Sequence, residues 1–445
     1  MSISSGCRSA KKDSYCLQQR FTLYYHSSSS ISIVFEGGRA LDRNEKKILA
    51  SASIYHASND ASVVTLPAVF PVLYTQGVLI RRYSDIGTIL LTGLVVAVIA
   101  QFIIGHSIKA KHYRCCLALS ALVLGVFLIL MASSKSFLTL LVFFIGVRIG
   151  SSVYHPVGIS WISKVFKGKK LDRAMGIQSA FGDIGVLSAF VATGYLTDRF
   201  GWKVPLLLWG SVNLTALWVG LLVSRGTEFG TREETEQRSV SWLETFSDLK
   251  PFIPPLMLGG VAWGITLGYA PSLLNHKLHL SMSETGVILG SWMAMGTLAS
   301  LFYGKIAERL ERSKIIIIAY SLIALATVAI GISTRTHFTI IAFLIYGIAL
   351  FTTFPALLSF VGSTTRAHNR TATFSTVSNI QILGNSIFSY ISGFLSDAYG
   401  INIPFIVLGL TSALVVIYIA AMMKKSRLWQ GEAPEFMRGG DIESI

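Results

Sequence analysis

The stretch Gly194-Tyr-Leu-Thr-Asp198 ends a long apolar run, and Gly393-Phe-Leu-Ser-Asp397 ends another in the same way. Two related copies, Gly105-His-Ser-Ile-Lys109 and Gly304-Lys-Ile-Ala-Glu308, end two further runs. Corresponding copies in the two halves of the chain are 199 residues apart, and the two copies within each half are 89 residues apart. The long offset also relates Gly87 to Gly286, Pro156 to Pro355, Gly185 to Gly384, Gly201 to Gly400 and Pro205 to Pro404. Such a repeat in an apolar chain predicts two six-helix bundles, each built from two three-helix units.

The composition indicates a membrane protein. Only 14% of the 445 residues are charged, 52% are hydrophobic, and the mean hydropathy is +0.58, which excludes an ordinary soluble domain. The apolar runs are continuous and do not alternate, so they predict helices rather than a barrel. Twelve runs are long enough to cross about 30 Å of hydrocarbon. They cover residues 48–75, 84–104, 115–133, 137–161, 175–196, 204–224, 254–276, 284–304, 315–333, 338–362, 373–395 and 402–423. The predicted fold is an all-α membrane protein with twelve transmembrane helices in two pseudo-symmetric six-helix bundles.

The chain divides into five predicted parts: a polar cytoplasmic N-tail (1–47), an N-terminal bundle (48–224), a cytoplasmic linker (225–253), a C-terminal bundle (254–423) and a cytoplasmic C-tail (424–445). The N-tail shows no secretory signal pattern. It reads equally well as a disordered extension or as the product of a start codon placed too far upstream. The linker has the composition of a short amphipathic helix over residues 242–249.

The distribution of basic residues predicts the orientation. With both termini in the cytoplasm, the inner loops between spans carry 18 Lys and Arg residues and the outer loops carry seven. This bias places both ends inside and predicts a multi-pass protein of the cell membrane. It also accounts for the net charge of +15, so no nucleic-acid partner is predicted. A monomer in a lipid bilayer is expected.

Motifs for chemistry are sparse. The cysteines, Cys7, Cys16, Cys115 and Cys116, form no Cys-x-x-Cys pair and no His/Cys cluster, so neither a disulfide nor a metal site is predicted. The chain has no Gly-x-x-x-x-Gly-Lys-Ser/Thr phosphate loop, no His-Glu-x-x-His and no Gly-x-Ser-x-Gly. These features predict no enzyme activity, no cofactor and no use of ATP.

The span count, the repeat and the Gly-x-x-x-acid-Arg signature resemble the major facilitator superfamily over residues of about 48–423. Two short stretches, Tyr55-His-Ala-Ser-Asn-Asp60 in span 1 and Gly150-Ser-Ser-Val-Tyr-His-Pro156 in span 4, are similar to its fosmidomycin-resistance-like efflux branch. The resemblance implies a twelve-span transporter that works by alternating access.

The superfamily resemblance also implies a conformational lock in the loop after span 2, where an acidic residue and an Arg hold the cytoplasmic side closed. Here Gly105 is present, but Lys109 replaces the acidic residue. The second-half copy is better kept, with Gly304, Glu308 and Arg309, so the second half is expected to hold the lock. The alternative is that these charges only snorkel and set the topology.

Three ionisable residues lie near mid-span: Asp60 in span 1, Arg148 in span 4 and Asp183 in span 5. Charges within the bilayer are costly and are therefore candidates for function. Spans 1 and 4 run antiparallel, so Asp60 and Arg148 are predicted to lie at the same level. Superfamily antiporters often pair an acid of span 1 with an Arg of span 4, which implies proton coupling through Asp60, Arg148 and Asp183. A static ion pair, or no contact, remains the alternative.

Polar neighbours share the same helix faces, because residues three, four and seven apart lie on one stripe. The predicted substrate-binding residues of the first half are His56, Asn59, Ser152, His155 and Gln178. Those of the second half are Trp263, Tyr269, Trp292, Tyr346, Gln381 and Asn385. The two histidines fit a proton relay and a packing role equally well. The aromatic residues fit either a wall of the binding site or ordinary packing.

Together these features predict a secondary active transporter that moves a small organic solute by alternating access. Protons are the expected coupling ion, and efflux is the expected direction. One alternative is a proton-coupled or facilitative importer of a metabolite. Another, from a different class, is a transporter-like sensor that binds solute without moving it.

Overall fold

A computed structural model describes residues 41–227, 246, 249–364, 370–425 and 429. The predicted N-tail up to residue 40, nearly all of the predicted 242–249 helix and most of the C-tail lie outside these residues. The described helices of the first half are α1 (Arg43–Gln76), α2 (Tyr83–Ser107), α3 (Tyr113–Met131), α4 (Phe137–Ser151), α5 (Tyr154–Val165), α6 (Lys169–Phe200) and α7 (Lys203–Val223). Those of the second half are α8 (Ile253–Ser272), α9 (Met282–Ala307), α10 (Arg312–Ile332), α11 (Thr336–Thr364), α12 (Arg370–Tyr399) and α13 (Ile403–Lys425).

Ten helical segments of the described residues are long and apolar enough to cross a membrane. They comprise α2, α3, the α4–α5 pair, α6, α7, α8 with the short turn that follows it, α9, α10, α11 and α13. The two other predicted spans, 1 and 11, correspond to α1 and α12, which are long helices of 34 and 30 residues but more polar. Most of α1 is buried against other helices, and a helix shielded from lipid does not need an apolar surface.

The fourth predicted span is interrupted. The sequence predicts one helix over 137–161, whereas the structure shows α4 ending at Ser151 and α5 beginning at Tyr154. Pro156 explains the break, because it has no N–H for the carbonyl of Ser152 and its ring crowds that carbonyl. The break lies between Arg148 and His155 and so separates two candidate site residues onto different helical segments.

Helices pack within each half and across the two halves. In the first half α3 packs on α4 and α7, and in the second half α10 packs on α11 and α13. Two crossings join the halves, α2 with α12 and α6 with α9. At both crossings a glycine lies against the partner's backbone: a Cβ on Gly87 would lie 2.9 Å from the Tyr390 carbonyl oxygen, and one on Gly286 would overlap that of Phe190. The two glycines are 199 residues apart, so the sequence repeat is a repeat of contacts between the halves.

Candidate functional site

Asp60 lies inside the bundle, where two histidines approach its carboxylate. Its Oδ2 is 3.1 Å from the Nε2 of His56 one turn earlier on α1, and its Oδ1 is 3.9 Å from the Nε2 of His155 on α5. The side-chain amide of Asn59 donates a hydrogen bond to Oδ1 over 2.9 Å. The Asp60 side chain is 23% exposed and that of His155 is 48% exposed, so the cluster has an open face.

His56 is held rigidly on its other sides. Its Nδ1 lies 2.7 Å from the backbone carbonyl oxygen of Gln178 on α6, and its ring stacks on that of Tyr154 with centroids 4.3 Å apart. The Tyr154 hydroxyl in turn donates to the side-chain oxygen of Gln178 over 2.9 Å. Because a carbonyl oxygen can only accept, Nδ1 carries a proton and Nε2 is the atom directed at Asp60.

Arg148 does not make the predicted contact with Asp60. No N–O distance between the two side chains is within 4.0 Å, and the Nε of Arg148 donates to the Gly93 carbonyl oxygen on α2 over 3.2 Å. Arg148 remains close enough for electrostatic attraction to Asp60. The Ser152 hydroxyl is buried and donates to the Arg148 carbonyl oxygen over 2.5 Å. In this state it therefore satisfies a backbone carbonyl in the last turn of α4.

Asp183 joins the two halves. Its Oδ2 lies 3.0 Å from the hydroxyl of Thr297 on α9, 114 residues further along the chain, and can accept a hydrogen bond from it. The Met293 carbonyl oxygen, one turn earlier on α9, is a second acceptor for that hydroxyl at 3.0 Å. The charged groups that act on Asp183 from α1 are Asp60 and His56. The preceding residue, Gly182, packs directly against the His56 ring. The sequence did not indicate Thr297, since one threonine in an apolar helix has no distinguishing pattern.

The aromatic residues predicted to bind substrate divide into two groups. Trp292, Tyr346 and Tyr269 are fully buried; the Tyr346 hydroxyl lies 2.7 Å from that of Thr266, and Tyr269 donates to the Ser389 carbonyl oxygen. These three are packing residues in this state.

Trp263 is partly exposed and packs against Trp292 with tilted rings and against Phe351 edge to face, with centroids 5.6 and 5.7 Å away. Gln381 and Asn385 on α12 are also partly exposed. Asn385 accepts a hydrogen bond from the Ser389 hydroxyl over 3.0 Å. These three residues of the second half are thus less buried than Trp292, Tyr346 and Tyr269.

One end of the bundle is closed by two matching contacts. The carboxylate of Asp198, at the end of α6, accepts hydrogen bonds from the backbone amides of Met282 (3.0 Å) and Ser283 (2.7 Å) at the start of α9. The carboxylate of Asp397, at the end of α12, accepts them from Tyr83 (2.7 Å) and Ser84 (3.1 Å) at the start of α2. We call this the closed end.

His276 adds a third contact at the closed end. Its Nδ1 lies 2.9 Å from the Tyr83 hydroxyl, and its Nε2 lies 3.1 Å from the Pro71 carbonyl oxygen and 3.2 Å from the Thr75 hydroxyl. A residue of the second half therefore contacts both α1 and α2. The repeated motifs at this end are visible in the sequence, but their contacts are not, and no sequence pattern marks His276.

The predicted lock residues lie at the opposite end and are open to solvent in this state. A Cβ on Gly304 would have nothing within 4 Å, and the side chains of Glu308 and Arg309 are exposed. Within the described residues, neither of the two forms an ion pair. Lys109 follows the end of α2 and is also exposed, while Gly105 lies within α2. The lock remains a prediction for a state in which this end closes.

Comparisons with known proteins agree with this architecture. The Major Facilitator Superfamily profile matches residues 52–380 and 256–435. The chain is 31% identical over 172 residues to "Uncharacterized MFS-type transporter YfnC" of Bacillus subtilis (strain 168), which is 38% of this chain and 39% of the relative. It is 24% identical over 181 residues to "Putative proline/betaine transporter" of Staphylococcus aureus (strain COL), or 37% and 36% of the two chains. It is 23% identical over 163 residues to "Multidrug resistance protein 2" of Bacillus subtilis (strain 168), or 37% and 40%. The matched segments thus span well under half of each relative's length.

Solved structures show the same fold over most of the chain. A bacterial homologue of the human lysosomal transporter Spinster, in an inward-facing and occupied conformation, has a TM-score of 0.68 and 14% identity, with 88% of this chain and 98% of that chain covered. The nucleoside transporter NupG has a TM-score of 0.70 and 13% identity, with 86% and 99% covered. The superfamily consists of transporters and not of enzymes. The profile match and the pseudo-symmetric halves together show that this chain belongs to the major facilitator superfamily of membrane transporters.

Proposed function

We propose that the chain exports a small organic solute in exchange for protons, by alternating access through twelve spans. In this proposal α1 and α12 complete the count, both termini are cytoplasmic, and the protein lies in the cell membrane. The solute binds between the bundles 48–224 and 254–423, against His155 on one side and Trp263, Gln381 and Asn385 on the other. The buried His56, Asn59, Ser152 and Gln178 would form the layer behind the first wall. Trp292, Tyr346 and Tyr269 would form the packed layer behind that second wall.

The observation that carries the proposal is the hydrogen bond between Asp183 and Thr297. It places an intramembrane carboxylate at a crossing between the two halves, which must change when the halves move. An ionised carboxylate can only accept from the Thr297 hydroxyl, whereas a protonated one can also donate. Proton uptake by Asp183 would thus change the strength of a contact between the halves, which is the requirement for coupling. Asp60 and Arg148 stay predicted coupling residues in the same cavity.

The asymmetry of the two ends supports alternating access. The closed end is held by Asp198 and Asp397, while Gly304 and Glu308 at the opposite end are open. With both termini in the cytoplasm, this state is inward-facing and has its lock disengaged. Glu308 and Arg309 would engage only when the cytoplasmic side closes.

The proposed direction of transport comes from the names of two relatives. The relative named for multidrug resistance favours efflux, and the relative named as a proline/betaine transporter keeps the importer as the alternative. Arg148, His56 and His155 favour a polar or anionic solute. A non-transporting sensor is the alternative of a different class.

Reconstitution tests the proposal. A thermal-shift screen of the purified protein against metabolites and antibiotics would identify a ligand, since binding raises the apparent stability. That ligand is then followed in proteoliposomes with and without a pH gradient. We expect gradient-driven accumulation by the native protein and only downhill exchange by Asp183→Asn, which lacks an ionisable group at this contact. Asp172→Asn, an exposed change in the first turn of α6, is the matched control. Binding without flux would favour a sensor, and gradient-independent flux would favour a facilitator.

A further inference from the structure

We propose that His56, Asp60 and His155 form a binding site for a divalent first-row transition-metal ion between α1 and α5. The inference goes beyond the organic-solute proposal, because it adds an inorganic ligand. One donor atom from each residue (Nε2 of each histidine and a carboxylate oxygen) lies within 4.8 Å of the other two. No local motif predicts this group, because His155 comes from α5 and the other two residues from α1.

His56 and Asp60 face each other with atoms that both carry lone pairs. The proton on Nδ1 of His56 is donated to the Gln178 carbonyl oxygen, so in the neutral imidazole Nε2 carries a lone pair. That atom nevertheless lies 3.1 Å from an oxygen of Asp60, which also presents lone pairs when ionised. Two acceptors repel at this distance unless a positive species lies between them. A proton or a metal ion can fill this role.

His155 extends the cluster beyond the pair of His56 and Asp60, since its Nε2 lies 3.9 Å from Oδ1 of Asp60. Zinc bonds to nitrogen and oxygen ligands are about 2.0–2.2 Å long, so tetrahedral ligands lie about 3.4 Å from one another. Oδ2 of Asp60 lies 3.1 Å from Nε2 of His56, and Oδ1 of Asp60 lies 3.9 Å from Nε2 of His155. These separations, one from each carboxylate oxygen, lie on either side of that value. His155 is the exposed member, so a small movement of its side chain would complete the geometry.

Hydrogen bonds from neighbouring groups hold two of the three donor residues in place. Metal-ligating histidines usually donate their second N–H to a backbone carbonyl or a carboxylate, as His56 does to Gln178. Asn59 orients Asp60 in the same way, through its bond to Oδ1. The site is therefore supported before any ion arrives, which reduces the ordering needed on binding.

The donor set limits the kind of ion. Two imidazoles and one carboxylate suit zinc, cobalt, nickel or iron, whereas magnesium and calcium prefer oxygen ligands. Three protein ligands leave at least one position for water or for a donor atom of a solute. The positive charge of Arg148 nearby would favour an anionic group at that open position. The site thus accepts a metal ion together with an anionic ligand more readily than the bare ion.

Cobalt(II) is a suitable probe, because its visible absorption reports coordination by nitrogen and oxygen. The full chain in detergent, freed of any histidine tag, is titrated with cobalt chloride and then with zinc chloride. We expect one equivalent of cobalt to bind with a visible band and to be displaced by zinc. His155→Gln and Asp60→Asn should each weaken binding at least tenfold. Because His155 is exposed, its variant should fold, which size-exclusion chromatography and thermal melting would verify.

The exposed His337, in α11, supplies the matched control. His337→Gln should bind cobalt as the native protein does. Equal loss in His337→Gln, unchanged binding in both His155→Gln and Asp60→Asn, or the absence of stoichiometric binding would each overturn the proposal. The titration needs no gradient and no organic ligand, so its outcome is independent of whether Asp183 couples transport to protons.

Discussion

Asp397 accepts a hydrogen bond from the backbone amide of Tyr83, a residue 314 positions earlier in the chain. Tyr83 begins α2, and the first amides of a helix have no partner within the helix. The negative side chain also lies at the positive end of the helix dipole. One carboxylate therefore closes the end of the bundle by capping a helix of the other half, and Asp198 repeats the arrangement at α9.

Removing either cap should open the closed end. Asp397→Ala should expose the amides of Tyr83 and Ser84 to solvent and weaken closure by about 1 kcal/mol, the usual contribution of a helix cap. Hydrogen–deuterium exchange of peptides around residues 83–84 and 282–283 measures this in both Asp397→Ala and Asp198→Ala. Faster exchange at both sites in each variant would show that the closed end opens as one unit. Unchanged exchange at the capped site itself would contradict the assignment.

The glycines at the crossings should be as important as the caps. A Cβ on Gly393 would lie 2.6 Å from the Tyr83 carbonyl oxygen, which no side-chain movement can relieve. Gly393→Ala is therefore expected to hold the closed end apart and to reduce transport at least tenfold while the protein still folds. Spin labels on Val78→Cys and Arg335→Cys, in a background without native cysteines, would report a longer distance.

The control for this experiment is Gly176→Ala in α6. Nothing lies within 4 Å of the added Cβ at this position, and alanine favours a helix by about 0.5–1 kcal/mol over glycine. The labelled distance should match that of the native protein in this variant. A native distance in Gly393→Ala as well would show that the crossing tolerates a larger residue.

Substitutions at Asp183 and Thr297 should have non-additive effects on transport, because the two side chains are in contact. Thr297→Val keeps the shape of the side chain but removes the hydroxyl that donates to Asp183. If the contact is the coupling element, the double variant Asp183→Asn/Thr297→Val should transport no worse than Asp183→Asn alone. Thr215→Val, which removes an exposed hydroxyl bonded only within α7, should leave transport unchanged. Strictly additive losses would argue for two unrelated effects.

Substitution of the predicted lock residue Glu308 should lower turnover without lowering the stability of the protein. Glu308 is exposed in the present state, so Glu308→Gln should change the free energy of unfolding by no more than about 0.5 kcal/mol and leave ligand binding intact. Turnover in proteoliposomes should fall at least tenfold, because the outward-facing state would lose its lock. Lys109→Asp should be tolerated. If Glu308→Gln turns over normally, the charge of Glu308 acts only on the membrane topology and not as a lock.

Much of the architecture is predictable because it is repeated. The 199-residue offset that relates Gly87 to Gly286 in the sequence also relates their contacts across the halves. The break at Pro156 was missed because a proline does not always interrupt a helix: Pro355, at the matching position of the second half, lies inside the continuous helix α11. Twelve spans were predicted from the apolar runs and the repeat, whereas ten helical segments of the described residues are apolar enough to cross, so spans 1 and 11 stay predictions.

The site was predictable in part. His56 and Asp60 are four residues apart on one helix, so their proximity follows from helical geometry. The predicted contact between Asp60 and Arg148 is not made in this state. An arginine side chain is long enough to reach several partners, and here Arg148 donates to the Gly93 carbonyl oxygen. Trp292 and Trp263 have the same residue type but different exposure, which depends on helix rotation that sequence does not show.

The 199-residue register separates the closed end from the interior. Asp198 has a matching carboxylate in the second half, Asp397, but the positions that match Asp60 and His155 are Gly259 and Phe354. The two halves therefore hold each other with the same kind of group, while they present different chemistry to whatever lies between them. A substitution at position 60 or 155 can thus alter recognition without touching the contacts that close the bundle.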